Sequence, residues 1–172
     1  EINLGLDLQG GSHLLLRVDI DAVRKERLEN LSERIRRDFR SKKIRFNALV
    51  VSDEAVALQV REENDIGPAE QIFRDLGSDY STTNDGKAYQ IRFTDAGLKL
   101  MRTRTVDQSI EIIRRRLDPE GTKEPIIQRQ GLDRILVQLP GVDDPEAVKR
   151  LLGRTAKLTF QLVDISMTAA EA

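Results

Sequence analysis

The chain has 172 residues, 39% hydrophobic and 33% charged, a size and balance that fit one domain, or two small ones fused, with a substantial core. Its 28 basic and 29 acidic residues leave a net charge of −1, and only 4% of residues are aromatic with no Trp, so neither a general pull toward nucleic acid or anionic lipid nor a base-stacking platform follows. Cysteine is absent and His13 is the single histidine, which excludes disulfides, thiol nucleophiles, thiolate and His-pair metal sites, and most acid–base triads.

In chain order, Gly10-Gly11 marks a turn that needs positive φ or close backbone approach, braced by the Asp7 carboxylate. It is not a phosphate loop: there is no G-x-G-x-x-G, no Gly-Lys-Ser/Thr, and a strand follows instead of a helix N-terminus. In that strand Leu14, Leu16 and Val18 share one face, with His13, Leu15 and Arg17 on the other. His13 reads as a simple strand histidine, with pH sensing as the alternative. Asp19 or Asp21 caps a helix from about Asp21 to Lys42, whose apolar stripe is Leu28, Leu31, Ile35 and Phe39. Asp7, Asp19 and Asp21 lack the oxygen-rich loop of a calcium site and read as surface and capping carboxylates.

Two strands follow. Phe46, Ala48 and Val50 alternate with Arg45, Asn47 and Leu49, and Val56, Leu58 and Val60 alternate with Ala57, Gln59 and Arg61. Pro68 opens a short helix and Gly77 follows its end. Asn84-Asp85-Gly86 suits a tight reversal, after which Tyr89, Ile91 and Phe93 alternate with Gln90 and Arg92. A second long helix runs from about Asp95 to Leu117 on a stripe of Val106, Ile110, Ile113 and Leu117. Its Arg114-Arg115-Arg116 end, with Arg102 and Arg104 upstream, splays around the helix and reads as a solvated end that suits the macrodipole, contact with acidic partners or lipid headgroups being the alternative. Gly131-Leu132-Asp133 forms a hairpin turn, then Ile135, Val137 and Leu139 alternate with Arg134, Leu136 and Gln138 up to a Pro140-Gly141 turn. Asp143 or Asp144 caps a last short helix with Pro145 in its first turn and Gly153 after it, and Leu158, Phe160 and Leu162 alternate with Thr159 and Gln161.

This order reads as strand, long helix, strand, strand, short helix, strand, twice over. Leu16 maps near Ile91, Leu58 near Val137, and Leu76-Gly77 onto Leu152-Gly153. The expected class is therefore α+β: two tandem ferredoxin-like βαββαβ units, residues 12–84 and 85–165, each an antiparallel sheet with helices on one face. Residues 1–11 form a junction before them and residues 166–172 a tail. No apolar run approaches the roughly 20 residues of a membrane helix.

Two stretches carry a family likeness. One holds Leu6, Asp7, Leu8, Gly10 and Gly11, leading into Leu14-Leu15-Leu16. The other runs from Glu124 to Gly141 and includes Pro125, Gln128, Arg129, Gln130, Gly131, Asp133, Arg134, Leu139 and Pro140. Together with Gly153 to Asp164 they closely resemble the SecD family, membrane subunits that help the Sec machinery move unfolded proteins out of the cytoplasm. The family usually carries Arg where this chain has Gln9, so no charge-based role is carried over to that position.

The resemblance implies the start of the first large extracytoplasmic domain, in the periplasm on the outer face of the inner membrane. It implies a membrane helix before Glu1, and after Ala172 the rest of that domain and further membrane helices. The implied partners are SecF, the SecYEG channel and a translocating, unfolded preprotein, with translocation driven by the proton-motive force. The motif residues are expected to be structural. No catalytic residue, cofactor or metal is expected, and the proton path is expected in the absent membrane helices. Two other classes are open to a ferredoxin-like sheet: RNA binding, with Tyr89 and Phe93 as the only plausible stacking pair although on the core face, and small-ligand regulation at an interface between copies.

Overall fold

The computed structural model describes residues 11–119, 124–142, 144–153 and 160–162. The strands are β1 (Gly11–Val18), β2 (Phe46–Val51), β3 (Ala55–Val60), β4 (Tyr80–Asp85), β5 (Ala88–Phe93), β6 (Ile126–Gln130), β7 (Arg134–Pro140) and β8 (Phe160–Leu162). The helices are α1 (Ile20–Ser41), α2 (Ile66–Arg74), α3 (Asp95–Leu117) and α4 (Pro145–Leu152). The chain divides into two compact units. One is built from both ends, Glu1–Ile20 with Arg102–Ala172, and is called the split unit below; the other, Asp21–Met101, is inserted between those pieces.

In the split unit the sheet order is β6-β7-β1-β8, with every neighbouring pair antiparallel. β1 pairs with β7 from Gly11 opposite Pro140 to Arg17 opposite Arg134, and with β8 from Leu16 opposite Leu162 to Val18 opposite Phe160. The alternation of β1 and β7 decides their faces: Leu14, Leu16 and Val18 join Ile135, Val137 and Leu139 in one buried cluster, completed by Val106, Ile113 and Leu117 of α3 and by Val148 and Leu152 of α4. Each such side chain contributes about 1.5–3 kcal/mol on burial. Leu15 is also buried, on the opposite face, where Leu136 stands across from it. Asp144 caps α4, its side chain accepting from the Glu146 N–H at 2.9 Å, with Pro145 in the first turn as its fixed φ favours. Asp143, the other expected cap, lies outside the described residues.

In the inserted unit the order is β2-β3-β5-β4, again antiparallel throughout. Its core joins Leu28, Leu31, Ile35 and Phe39 of α1 with Val56, Leu58 and Val60 of β3, Ala69, Ile72 and Phe73 of α2, and Tyr89 and Ile91 of β5. Four aromatic rings chain through it. Phe39 meets Phe46 edge-on at 5.4 Å and Phe73 at 5.8 Å, and Phe73 meets Tyr89 at 4.9 Å.

The mixed α+β class holds, as two antiparallel sheets with helices, but the tandem division does not. The expected boundary at 84/85 falls inside the β4–β5 hairpin, whose loop is only Gly86-Lys87. β1 belongs with β7 and β8, not with β2 to β4. The physical reason is local pairing: a two-residue loop joins β4 to β5 at little entropic cost, and the hairpin docks on β3 through β5, where Ile91 faces Val56 in the core. The inserted unit therefore reads α-β-β-α-β-β, while the split unit reads β-α-β-β-α-β from separated pieces. Residues 1–10 of the expected junction and the tail at 166–172 lie outside the described residues.

β2 departs from its expected alternation. The register shifts between Asn47 and Val50, and Ala48 adopts φ 33°. This bulge moves Leu49 and Val51 onto the core and leaves Val50 57% exposed. α2 begins at Ile66, two residues before Pro68, which still stands in the first turn. The start of α3 is strapped to the chain before β4. The Thr94 N–H donates to the Asp79 carbonyl at 2.9 Å, and Thr94 Oγ1 accepts from the Gly97 N–H at 3.0 Å as a helix cap. The close approach depends on Gly97, where a Cβ would lie 2.2 Å from the Asp79 carbonyl oxygen.

A fragment of residues 21–101 folds alone with one cooperative urea transition followed by circular dichroism, whereas a fragment of residues 12–84 does not, because it lacks β5. Gly97→Ala destabilises the inserted unit by about 1–3 kcal/mol in the same measurement. Gly67→Ala, with nothing within 4 Å of the added carbon, is neutral or stabilising by up to ~1 kcal/mol.

Candidate functional site

The two motif stretches, far apart in sequence, lie side by side. Gly11 opens β1 opposite Pro140, and Ser12 is buried opposite Leu139 with its hydroxyl donating to the Val142 carbonyl. Leu6, Asp7, Leu8 and Gly10 lie outside the described residues. Along β6, Gln128 stands opposite Leu136 and Gln130 opposite Arg134. Arg129 clasps α3: its guanidinium donates to Asp107 Oδ1 at 2.6 Å and to the Thr103 carbonyl at 3.1 Å. The Glu124 N–H donates to Asp118 Oδ2 at 3.2 Å just before Pro125. At the hairpin tip Gly131 takes φ 69°, a left-handed conformation that glycine adopts without strain, and exposed Leu132 follows it. The Asp133 carbonyl accepts from the Val18 N–H at 2.8 Å, tying the hairpin to the end of β1. Arg134 faces Arg17, Leu139 is buried in the core, and Gly141 takes φ 72°. These residues hold strands in register, and among the described residues the arrangement brings no nucleophile, base and acid together.

The other candidates are dispersed. His13 is exposed, opposite Gln138. Asp21 pairs with Arg24 at 3.2 Å in the first turn of α1. Of the three successive arginines, Arg114 pairs with Glu111, Arg116 donates to the Leu152 carbonyl at 2.6 Å and so caps the end of α4, and Arg115 is exposed. Among the described residues no group of three His, Asp or Glu could hold a metal ion. Tyr89 is buried against Phe73, and Phe93 lies 4.7 Å from the Tyr80 ring on the same sheet face, so neither presents a free ring for a base.

A different feature is visible only in three dimensions: the free edges of the sheets. Among the described residues those of the inserted unit are β2 and β4. β2 is blunted by its bulge. β4 pairs without a break from Tyr80 opposite Phe93 to Asp85 opposite Ala88, and Ser81 to Asp85 are all exposed. Its Tyr80-Ser81-Thr82-Thr83-Asn84 run contains no Pro and no charge. A cleft of about 310 Å³ runs beside this edge, lined by Tyr80, Thr82, Asn84 and Tyr89 of the hairpin and by Glu70, Phe73, Arg74 and Gly77 of the α2 side. Alternation could not reveal β4, since its polar residues show no apolar period. The β-branched Thr82-Thr83 pair directly before Asn84-Asp85-Gly86 was the available signal.

Two phenols border the cleft. Burial raises the Tyr89 pKa above its ordinary 10.0, and the Glu70 carboxylate, whose Oε1 accepts from the phenol at 3.5 Å, adds to the rise. Burial also raises Tyr80, with Asp79 adding and Arg27 and Arg34 opposing. A raised phenol pKa means that the folded state holds the proton more tightly than the unfolded chain. The stability it brings is whole below pH 10.0 and is lost as pH rises through the folded values above that. Thermal melts across this range should show the decline, and a Tyr80→Phe, Tyr89→Phe double variant should show a smaller one.

Residues 106–165 match the model of the protein translocase subunit SecDF P1 domain, N-terminal, and residues 2–19 match that of the SecD/SecF GG motif. Both segments fall in the split unit, and neither reaches the insertion. The chain is 40% identical over 171 residues to the protein translocase subunit SecD of Rickettsia bellii, covering 99% of this chain and 33% of that protein. The corresponding protein of Acetobacter pasteurianus is 40% identical over 172 residues, covering 95% of this chain and 33% of its own length. That of Pseudomonas aeruginosa is 34% identical over 165 residues, covering 94% and 27%. The chain thus spans about a third or less of the length of these relatives. No solved structure matches it. With its end segments matched to two models of one family and nearly its whole length aligned to the named subunits, the chain belongs to the SecD family.

Proposed function

We propose that this chain is a non-enzymatic, periplasmic part of the protein-export accessory complex of the inner membrane, acting with SecF on preproteins that emerge from the SecYEG channel. The observation that carries this reading is the joining of both family-matched segments into one sheet through β1 and β7. In this role the split unit is a rigid base. Its first strand, Gly11–Val18, lies within the segment matched to the GG motif, so force or movement arriving through that segment enters the sheet along the β1–β7 ladder. The proton-motive force is used in the absent membrane helices, and this part transmits the resulting motion to the exported chain. Membrane attachment comes from those helices, since no helix among the described residues is long and apolar enough to cross a bilayer.

The test uses the full-length parent protein in cells depleted of their own copy, with export of a radiolabelled preprotein followed by pulse-chase. In-frame removal of residues 11–162 should slow late translocation to the depleted rate and abolish its stimulation by the proton-motive force, with SecF still co-purifying through the membrane helices. Export at the undepleted rate without this region would overturn the proposal.

A further inference from the structure

We propose that the β4 edge of the inserted unit, with the cleft beside it, is a docking site for an extended polypeptide segment, which adds to the sheet as a fifth strand. The inference rests on the export reading for the source of that segment, an unfolded exported chain, and on geometry for everything else.

The geometry begins with the ladder. In an antiparallel pair, residues that exchange both main-chain hydrogen bonds alternate with residues that exchange none. The Thr94 N–H donates to the Asp79 carbonyl, and Asp85 faces Ala88 across the two-residue loop. Both set the same phase. Ser81, Thr83 and Asp85 turn their main-chain groups toward β5, so Tyr80, Thr82 and Asn84 turn theirs to the open edge. The Tyr80 N–H is partly engaged by the Gly77 carbonyl at 3.4 Å, which leaves Thr82 and Asn84 as the central docking residues.

The same three residues line the cleft. This coincidence gives the site its selectivity. Residues directly opposite in a ladder place their side chains on the same sheet face. A strand pairing with Tyr80, Thr82 and Asn84 therefore delivers every second side chain to the cleft, where Phe73 and Tyr89 form the apolar wall and an ion pair between Arg74 and Glu70, 3.7 Å apart, forms the rim. The volume, about 310 Å³, lies at the lower end of the ~300–1,000 Å³ typical of ligand pockets and suits one or two uncharged side chains. Main-chain bonds supply sequence-tolerant affinity, as in β-strand addition generally, and the cleft adds a preference for apolar residues at alternate positions. The Tyr80–Asn84 run of this edge carries no charge and so repels neither acidic nor basic clients.

The decisive measurement titrates the isotope-labelled chain with reduced, carboxymethylated lactalbumin, a permanently unfolded protein, and follows amide exchange residue by residue. The Thr82 and Asn84 amides should slow, with smaller effects along β2 and β6. Thr82→Pro removes an outward donor at an edge position where proline is tolerated, and should weaken binding roughly tenfold with an unchanged melting curve. Thr82→Lys, which needs no change of backbone, should weaken it likewise and decides the matter if the proline variant does not fold. Unaltered affinity in a folded variant, protection at another edge instead, or no saturable binding at high-micromolar chain would each overturn the proposal. So would a concentration-dependent dimer of the chain that buries β4 without the probe. None of these outcomes bears on the export assay in cells, so the docking site can fail while the role in export stands.

Discussion

The ladder between β1 and β7 is the constraint on which the split unit depends. It joins Gly11 to Pro140 and Arg17 to Arg134, and so closes the chain around everything between. Without it Leu14, Leu16 and Val18 have no partner sheet, and the apolar faces of α3 and α4 lose half of the cluster they cover. Loop closure of this length is tolerable because its entropic cost grows only logarithmically with the number of residues. Here most of those residues are themselves folded as the inserted unit, with a core of their own.

That core explains how one family domain accommodates an insertion of this size. The insertion contributes its own β3–β5 ladder, its own pair of helices and its own chain of aromatic rings, and borrows no strand from the sheet it interrupts. Family models match only the flanking pieces, whereas relatives align along nearly the whole chain. The insertion is therefore shared with those relatives, while the split unit is the part the wider family description captures.

The two units also differ in how their sequence relates to their use. The motif residues of the split unit hold turns and register: Gly131 and Gly141 in left-handed turns, Arg129 clasped to α3, and the Asp133 carbonyl holding the end of β1. Such residues stiffen a scaffold. Among the described residues, the inserted unit instead leaves one regular edge unpaired beside a cleft, uncharged from Tyr80 to Asn84, a feature that soluble proteins usually suppress with a bulge, a charge or a proline. β2, on the far side of the same sheet, carries such a bulge, so the unit blunts one edge and leaves the other open.

Local periodicity and short motifs determined both long helices to within a residue or two, the strands β1, β3, β5 and β7, a cap of α4 at Asp143 or Asp144, and the family, because amphipathic spacing and motifs are properties of contiguous residues. They could not determine β4, whose Ser, Thr and Asn residues have no apolar rhythm, nor the bulge at Ala48, which depends on what β3 offers opposite. Nor could they choose which strands share a sheet. β1 and β5 present the same apolar alternation, and either suits a central position. Only tertiary structure decided between them: the two-residue loop after Asp85 pairs β5 with β4, the hairpin docks on β3 through β5, and β1 pairs with β7 across the whole insertion.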